Sequence, residues 1–185
     1  ERRARWEADL RAKGKDPAKA RYEEPAPPNT EGLSELPEGW CWAVWEQLAA
    51  RVTVGFVGPM KHEYVENGVP FLRSQNVREN RFDPTGLLYI SRAFHSRIAK
   101  SVLHTGDIVV VRSGSVGVTC VIPESLPEAN CSDLVIFQGP MGIEPQYGAY
   151  YMNSLARQQV RAGQVGIALT HFNTRSVARL NIALP

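Results

Sequence analysis

The segment Leu103-His104-Thr105-Gly106-Asp107-Ile108-Val109-Val110-Val111-Arg112-Ser113-Gly114 decides how this chain is read. Four β-branched apolar residues stand between two charges, with a glycine on each side. The run does not alternate with polar residues, so it suits a strand buried on both faces. Outward from it, strand signals recur at short spacing: Val52–Val57, Val69–Arg73 and Leu87–Ser91 before it, Val116–Ile122 and Leu134–Gln138 after it. Arg92–Ser101 reads as a short helix. Pro145–Ala162 reads as a long one, with Tyr147, Tyr150, Tyr151, Leu155 and Val160 at helical spacing and Gly163 closing it. A Gly/Thr/Asn loop from Gly163 to Thr174 leads to a last expected strand, Val177–Leu184. Short connections favour antiparallel pairing. The expected class is α+β: a curved, mostly antiparallel sheet or partial barrel with a few helices.

The chain has 185 residues, 43% apolar and 22% charged. That supports one domain of roughly 150 residues plus an appendage. No apolar run approaches the ~18 residues of a membrane span. The first fifteen residues are charged throughout and resemble no signal peptide. The chain opens on Glu1 rather than Met, which points to a piece of something longer. Cys41, Cys120 and Cys131 are odd in number and contain no CxxC pair, so a reducing, cytoplasmic setting is the simpler expectation.

Glu1–Gly14 is rich in good helix formers, with Trp6 and Leu10 on one face. Residues 1–16 are read as the end of a longer helix, with the Trp6/Leu10 stripe as a face for a partner helix. Residues 17–35 form a Pro/Glu linker, and residues 36–185 form the domain. Residues 1–22 carry a net charge of +4, residues 23–40 of −5 and residues 41–185 of +3. Eleven of the thirteen basic residues in the last part are Arg, whose planar fork pairs with phosphate or a guanine edge.

The familiar catalytic constellations are missing from the sequence. There is no GxSxG elbow, no Walker A loop and no GxGxxG after a strand. His62, His95, His104 and His171 lack metal-ligand spacing and read as surface or turn histidines. Asp107 and Asp133 each precede an apolar run, where such residues make turns that bond their own backbone. No catalytic residue, metal site or cofactor is expected.

Three polar groups remain. The first is Arg73, Ser74, Gln75, Asn76, Arg78, Asn80 and Arg81, the second Arg112, Ser113 and Ser115, the third His171, Asn173, Thr174 and Arg175. Arg reads guanine, Asn and Gln read adenine, and Arg and Ser hold phosphates. Base contacts are expected from Gln75, Asn76 and Arg78, phosphate contacts from Arg81, Arg112 and Arg175. The same residue types also furnish ordinary solvated loops. Arg73 and Arg112 could instead pair internally with Asp107 or Asp133. Trp40, Trp42 and Trp45 read as core and domain edge, and Arg157 and Arg161 as possible backbone contacts on the long helix.

One family shares this order of pieces. It runs Leu36-Pro37-Glu38-Gly39-Trp40, then Gly68-Val69-Pro70-Phe71-Leu72-Arg73 with Asn76-Val77. Leu103–Gly114 with Gly117 follows, then Tyr150-Tyr151-Met152-Asn153-Ser154, Phe172-Asn173 and Leu184-Pro185. This resembles the target recognition domain of type I restriction–modification specificity subunits, the HsdS family. The likeness implies a non-catalytic module that reads one half of a bipartite site on double-stranded DNA. It also implies methyltransferase and restriction subunits as partners, with a second recognition domain or spacer helix in the same subunit, and no membrane. The first sixteen residues resemble the end of a spacer helix. The chain departs from the family pattern in holding one recognition domain. The rival reading is a protein-interaction module that assembles methyltransferase subunits without reading bases.

Overall fold

The computed structural model describes residues 2–156, 158 and 173–185. Its elements begin with α1 (Arg2–Ala12), β1 (Cys41–Val44), β2 (Ala49–Val54), β3 (Tyr64–Val65) and β4 (Val69–Leu72). A small hairpin, β5 (Val77–Arg78) and β6 (Arg81–Phe82), precedes β7 (Leu88–Ile90) and α2 (Arg92–Arg97). Then come β8 (Val102–His104), β9 (Ile108–Val111), β10 (Thr119–Val121), β11 (Glu128–Cys131) and β12 (Leu134–Pro140). The chain closes with α3 (Pro145–Tyr151), α4 (Thr174–Ala178) and β13 (Asn181–Leu184).

The expected α+β class holds, and the fold is organised around β9. A four-stranded antiparallel sheet runs in the order β10-β9-β12-β2, with Val109 opposite Ile136 and Ile136 opposite Thr53. All four residues of β9 are at most 1% exposed. Period-two geometry sends Ile108 and Val110 to one face and Val109 and Val111 to the other. Each face has its own core. The first joins Ile108, Val110, Val135 and Phe137 to Trp45, Met152, Val177 and Ile182. The second joins Val109, Val111, Leu134 and Ile136 to Leu72, Val77, Leu103 and Cys120. This explains why the sequence shows no alternation there: neither face is wet.

A five-stranded sheet, β3-β7-β4-β11-β8, lies beyond the second core and is antiparallel except at β4–β11. A parallel bridge from Phe56 to Ser132 links the end of β2 to this sheet's chain segment. β1 pairs with β13, so Cys41 lies opposite Leu184 and the two ends of the domain meet. Tyr147 fastens α3 to that pair, its hydroxyl donating to the Ala183 carbonyl at 2.6 Å.

Several elements differ from the sequence reading. Only the second half of the expected strand Val177–Leu184 is strand, because a helix runs through Ala178. Asn173 caps α4 by accepting from the Ser176 N–H at 2.8 Å, and strand begins only at Asn181. Asn is a strong N-cap, and the cap outweighs the β preference of Val177. The long helix keeps α-geometry from Pro145 to Tyr151 and passes into a π-type turn over Met152–Ala156. The rest of that expectation, Gly163 and Arg157 and Arg161 included, lies outside the described residues. β1, β3, β5, β6, β8 and β11 fall outside the expected strands. α1 packs on β2, with Arg2 paired to Glu46 at 3.1 Å. The Trp6 ring meets Tyr22 of the linker at a centroid distance of 5.1 Å. Asn181 Nδ2 donates to Asn29 O at 2.8 Å, holding the linker to the last strand.

Candidate nucleic-acid interface

The first polar group occupies a turn and a hairpin. Ser74–Asn76 makes a 3-10 turn after β4, and β5–β6 follow at once. Val77 and Phe82, paired across the hairpin, pack on the second core, and the next cross-strand pair, Arg78 and Arg81, alternates to the outer face. Like charges placed opposite each other cost stability. Asp83 relieves that cost, with Oδ2 3.3 Å from Arg78 Nε. The Asp83 carboxyl sits below its ordinary range because it accepts from Thr85 and lies near Arg78 and Arg81.

Asn76 is not on this surface. It is fully buried: its Oδ1 accepts from the Arg73 N–H at 3.0 Å, and its Nδ2 donates to the carbonyls of Asp83 at 3.0 Å and Thr85 at 3.2 Å. Its whole amide is spent on the loop backbone, leaving no edge to offer a base. Arg73 is also turned inward to its own loop, Nη2 donating to Gly86 O at 2.9 Å. Asn80 holds a left-handed conformation at the hairpin tip, φ 62°, and accepts from Asn153 Nδ2 at 2.8 Å. Gln75, Arg78 and Arg81 stay exposed.

The second group meets the first through Asp133. Ser74 Oγ donates to Asp133 Oδ2 at 3.0 Å, and Ser113 Oγ donates to the same oxygen. The Arg112 N–H donates to Asp133 O at 3.2 Å. Asp133 adopts φ 57°, a conformation Asp tolerates better than most residues. Its carboxylate thus receives two serines, and Arg73 bonds Gly86 rather than Asp133. The hairpin packs over β9 and β10, the strands that the 112–118 loop connects. Groups one and two therefore form one surface.

The third group lies elsewhere. α4 packs on residues 45–48 and β2 and sends Val177 into the first core, whereas the other two groups border the second. Asn173 is a helix cap, Thr174 is half-buried and Arg175 is exposed. His171 lies outside the described residues.

His95 and Asp107 are bonded within the fold. His95 is buried, not a surface residue: its Nδ1 lies 3.3 Å from Asn130 Nδ2 and its Nε2 3.5 Å from Glu128. Asp107 accepts from the His104 and Gly139 N–H groups, both at 2.9 Å. Burial raises its carboxyl above the ordinary range, against the pull of those bonds. Burial also pushes the Cys120 thiol up to about 12 and raises that of Cys131. Such thiols are inert at neutral pH. Among the described residues no three His, Cys, Asp or Glu groups gather as metal ligands, and no helix is long and apolar enough to cross a membrane.

Sequence reasoning missed Asp83 and Asn153, and it read Asp133 as a turn residue or an arginine partner rather than as the acceptor that joins Ser74 and Ser113. Each acts by bonding to residues remote in sequence or on another strand, and no local pattern marks such a role.

The fold is an α+β domain with a two-faced central sheet and an added hairpin, and solved proteins share it. No family model and no curated protein matches the chain. Among solved structures, the chain is similar to one from work on complex assembly and conformational transition of the type I R-M system. The TM-score is 0.62 and the identity 17%, over 98% of this chain and 41% of that one. It is also similar to the HsdS subunit from Thermoanaerobacter tengcongensis, with TM-score 0.60 and 19% identity over 83% of this chain and 35% of that one. A type I restriction–modification S subunit from M. genitalium aligns with TM-score 0.53 and 9% identity, over 80% and 34% of the two chains. The chain thus has the fold of part of a type I specificity subunit, and spans 34–41% of the solved chains it matches.

Proposed function

We propose that the chain is a DNA-reading module of a type I restriction–modification specificity subunit. It reads one half of a bipartite target and positions methyltransferase and restriction subunits without catalysing a reaction itself. Its partner within the same subunit is a second recognition domain or spacer helix. The observation that carries this reading is the junction at Asp133. Two loops distant in sequence are brought into one polar surface, on a fold shared with HsdS. Gln75, Arg78 and Ser115 offer side chains for base edges there, and Arg81 and Arg112 suit phosphates. Selection of bound sequences from a random double-stranded DNA library, at low and moderate salt, tests it. A motif of about three to five base pairs, lost when Arg78, Asn80 and Arg81 become Ala, supports the reading.

One observation favours the protein-binding alternative. The surface balances Arg73, Arg78, Arg81 and Arg112 against Glu79, Asp83 and Asp133, so it is barely basic. Salt separates the two readings: each phosphate contact contributes a log–log slope of about −0.9, and a protein contact of this polarity gives a flatter response.

A further inference from the structure

We propose that Asp83 is a positioning residue that aims the Arg78 guanidinium at a guanine edge and so sets one base of the sequence read; this rests on the DNA-reading function above. The contact at 3.3 Å is to Nε. An ion pair whose closest approach is at Nε meets the guanidinium from its stem side and leaves the terminal Nη pair as the edge for a base. That pair is the edge that matches O6 and N7 of guanine.

Asp83 is itself held. Its Oδ1 accepts from the Thr85 N–H at 3.0 Å, its N–H donates to Asn76 O at 2.8 Å, and its carbonyl accepts from Asn76 Nδ2 at 3.0 Å. Since Asn76 is fully buried, a continuous support runs from the core through Asp83 to the exposed Arg78. A reading side chain needs such support to hold its direction. Charge points the same way. A carboxylate beside Arg78 repels a phosphate, whereas a guanine edge presents neutral acceptors. Arg81, opposite Arg78 in the hairpin, lies near the same carboxylate but makes no ion pair with it, and is the one suited to the backbone.

The test repeats the library selection with the full chain as wild type, D83N and R78K, alongside thermal melts. R78K keeps the charge and loses the fork. The expected result is a wild-type motif containing a guanine whose preference falls on the order of tenfold in both variants, while the other positions persist. D83N should bind scrambled duplex at least as tightly as wild type. A merely structural ion pair would instead weaken every position alike, together with the melting temperature. That outcome, or an unchanged guanine preference, overturns the inference while leaving the DNA-reading function standing. A wild-type chain that selects no motif at either salt overturns both. Should D83N fail to fold, D83E replaces it: it keeps the charge and moves the carboxylate, so a reduced guanine preference with unchanged binding of scrambled duplex supports the inference and an unchanged preference overturns it.

Discussion

Asn153 Nδ2 lies 2.8 Å from Asn80 Oδ1, joining the turn after α3 to the tip of the β5–β6 hairpin. The same amide brackets Thr119: Asn153 Oδ1 accepts its N–H at 2.9 Å, and Nδ2 donates to its carbonyl at 2.8 Å. The hairpin has only two residues per strand, and so short a ribbon does not hold its shape alone. Asn153→Ala should therefore lower stability by about 1–3 kcal/mol, since the Thr119 N–H loses its partner in a buried site, while its carbonyl keeps the Asn80 N–H. Hydrogen exchange should locate the effect at Thr119 and the hairpin amides, with the β9–β12 core unchanged.

The pH dependence should reveal Asp107. Burial raises its carboxyl above the ordinary value of 3.8. A group whose native pKa is raised gives its full stabilisation at pH below the unfolded value. It loses that stabilisation as pH climbs through the native value. Asp107→Asn removes this titration. The melting temperature of wild type relative to the variant should fall as pH rises through that window, and level off above it. Asp83, held below the ordinary range, contributes with the opposite sign.

What the sequence disclosed follows from the range of each interaction. Ile108–Val111 declared a two-faced strand because burial on both sides removes polar residues from the strand itself, a local signal. Gly106-Asp107 declared a turn because Asp107 does bond the His104 N–H, three residues away. The α4 cap was hidden behind Val177, whose β preference is the louder signal. Within the candidate surface, composition picked out residues by type and could not tell a reader from a support. Asn76 and Gln75 are adjacent and equally suited to adenine on paper, yet one is buried with its amide bonded to three backbone groups and the other is exposed. That distinction depends on Asp83 and Thr85 folding back, and only the fold supplies it.

Gly68 precedes β4 at a close approach. A Cβ built there would lie 2.2 Å from the carbonyl oxygen of Ile90, on the neighbouring strand β7. The obstacle is backbone in a buried ladder, which cannot swing aside as a side chain can. Gly68→Ala should cost about 1–3 kcal/mol, the usual range for overpacking. Chemical denaturation would read this directly. Gly106→Ala provides the contrast: its Cβ meets nothing within 4 Å, so any cost there comes from φ 85° and not from a clash.

Arg81 and Asn173 separate a binding residue from a capping one. Arg81 is exposed on the hairpin, and Asn173 accepts from the Ser176 N–H at the start of α4. Arg81→Ala should weaken binding to every duplex alike and reduce the log–log salt slope by about one, with little change in melting temperature. Asn173→Ala should do the reverse, lowering stability by about 1 kcal/mol while leaving the slope unaltered. Titrations at several salt concentrations, run beside thermal melts, compare the two. A drop in slope for Asn173→Ala without a loss of stability would bring the third polar group back onto the binding surface, although α4 borders the opposite core. A flat response from Arg81→Ala would remove the hairpin from it and shift the phosphate contacts to Arg112 and the loop that Asp133 holds.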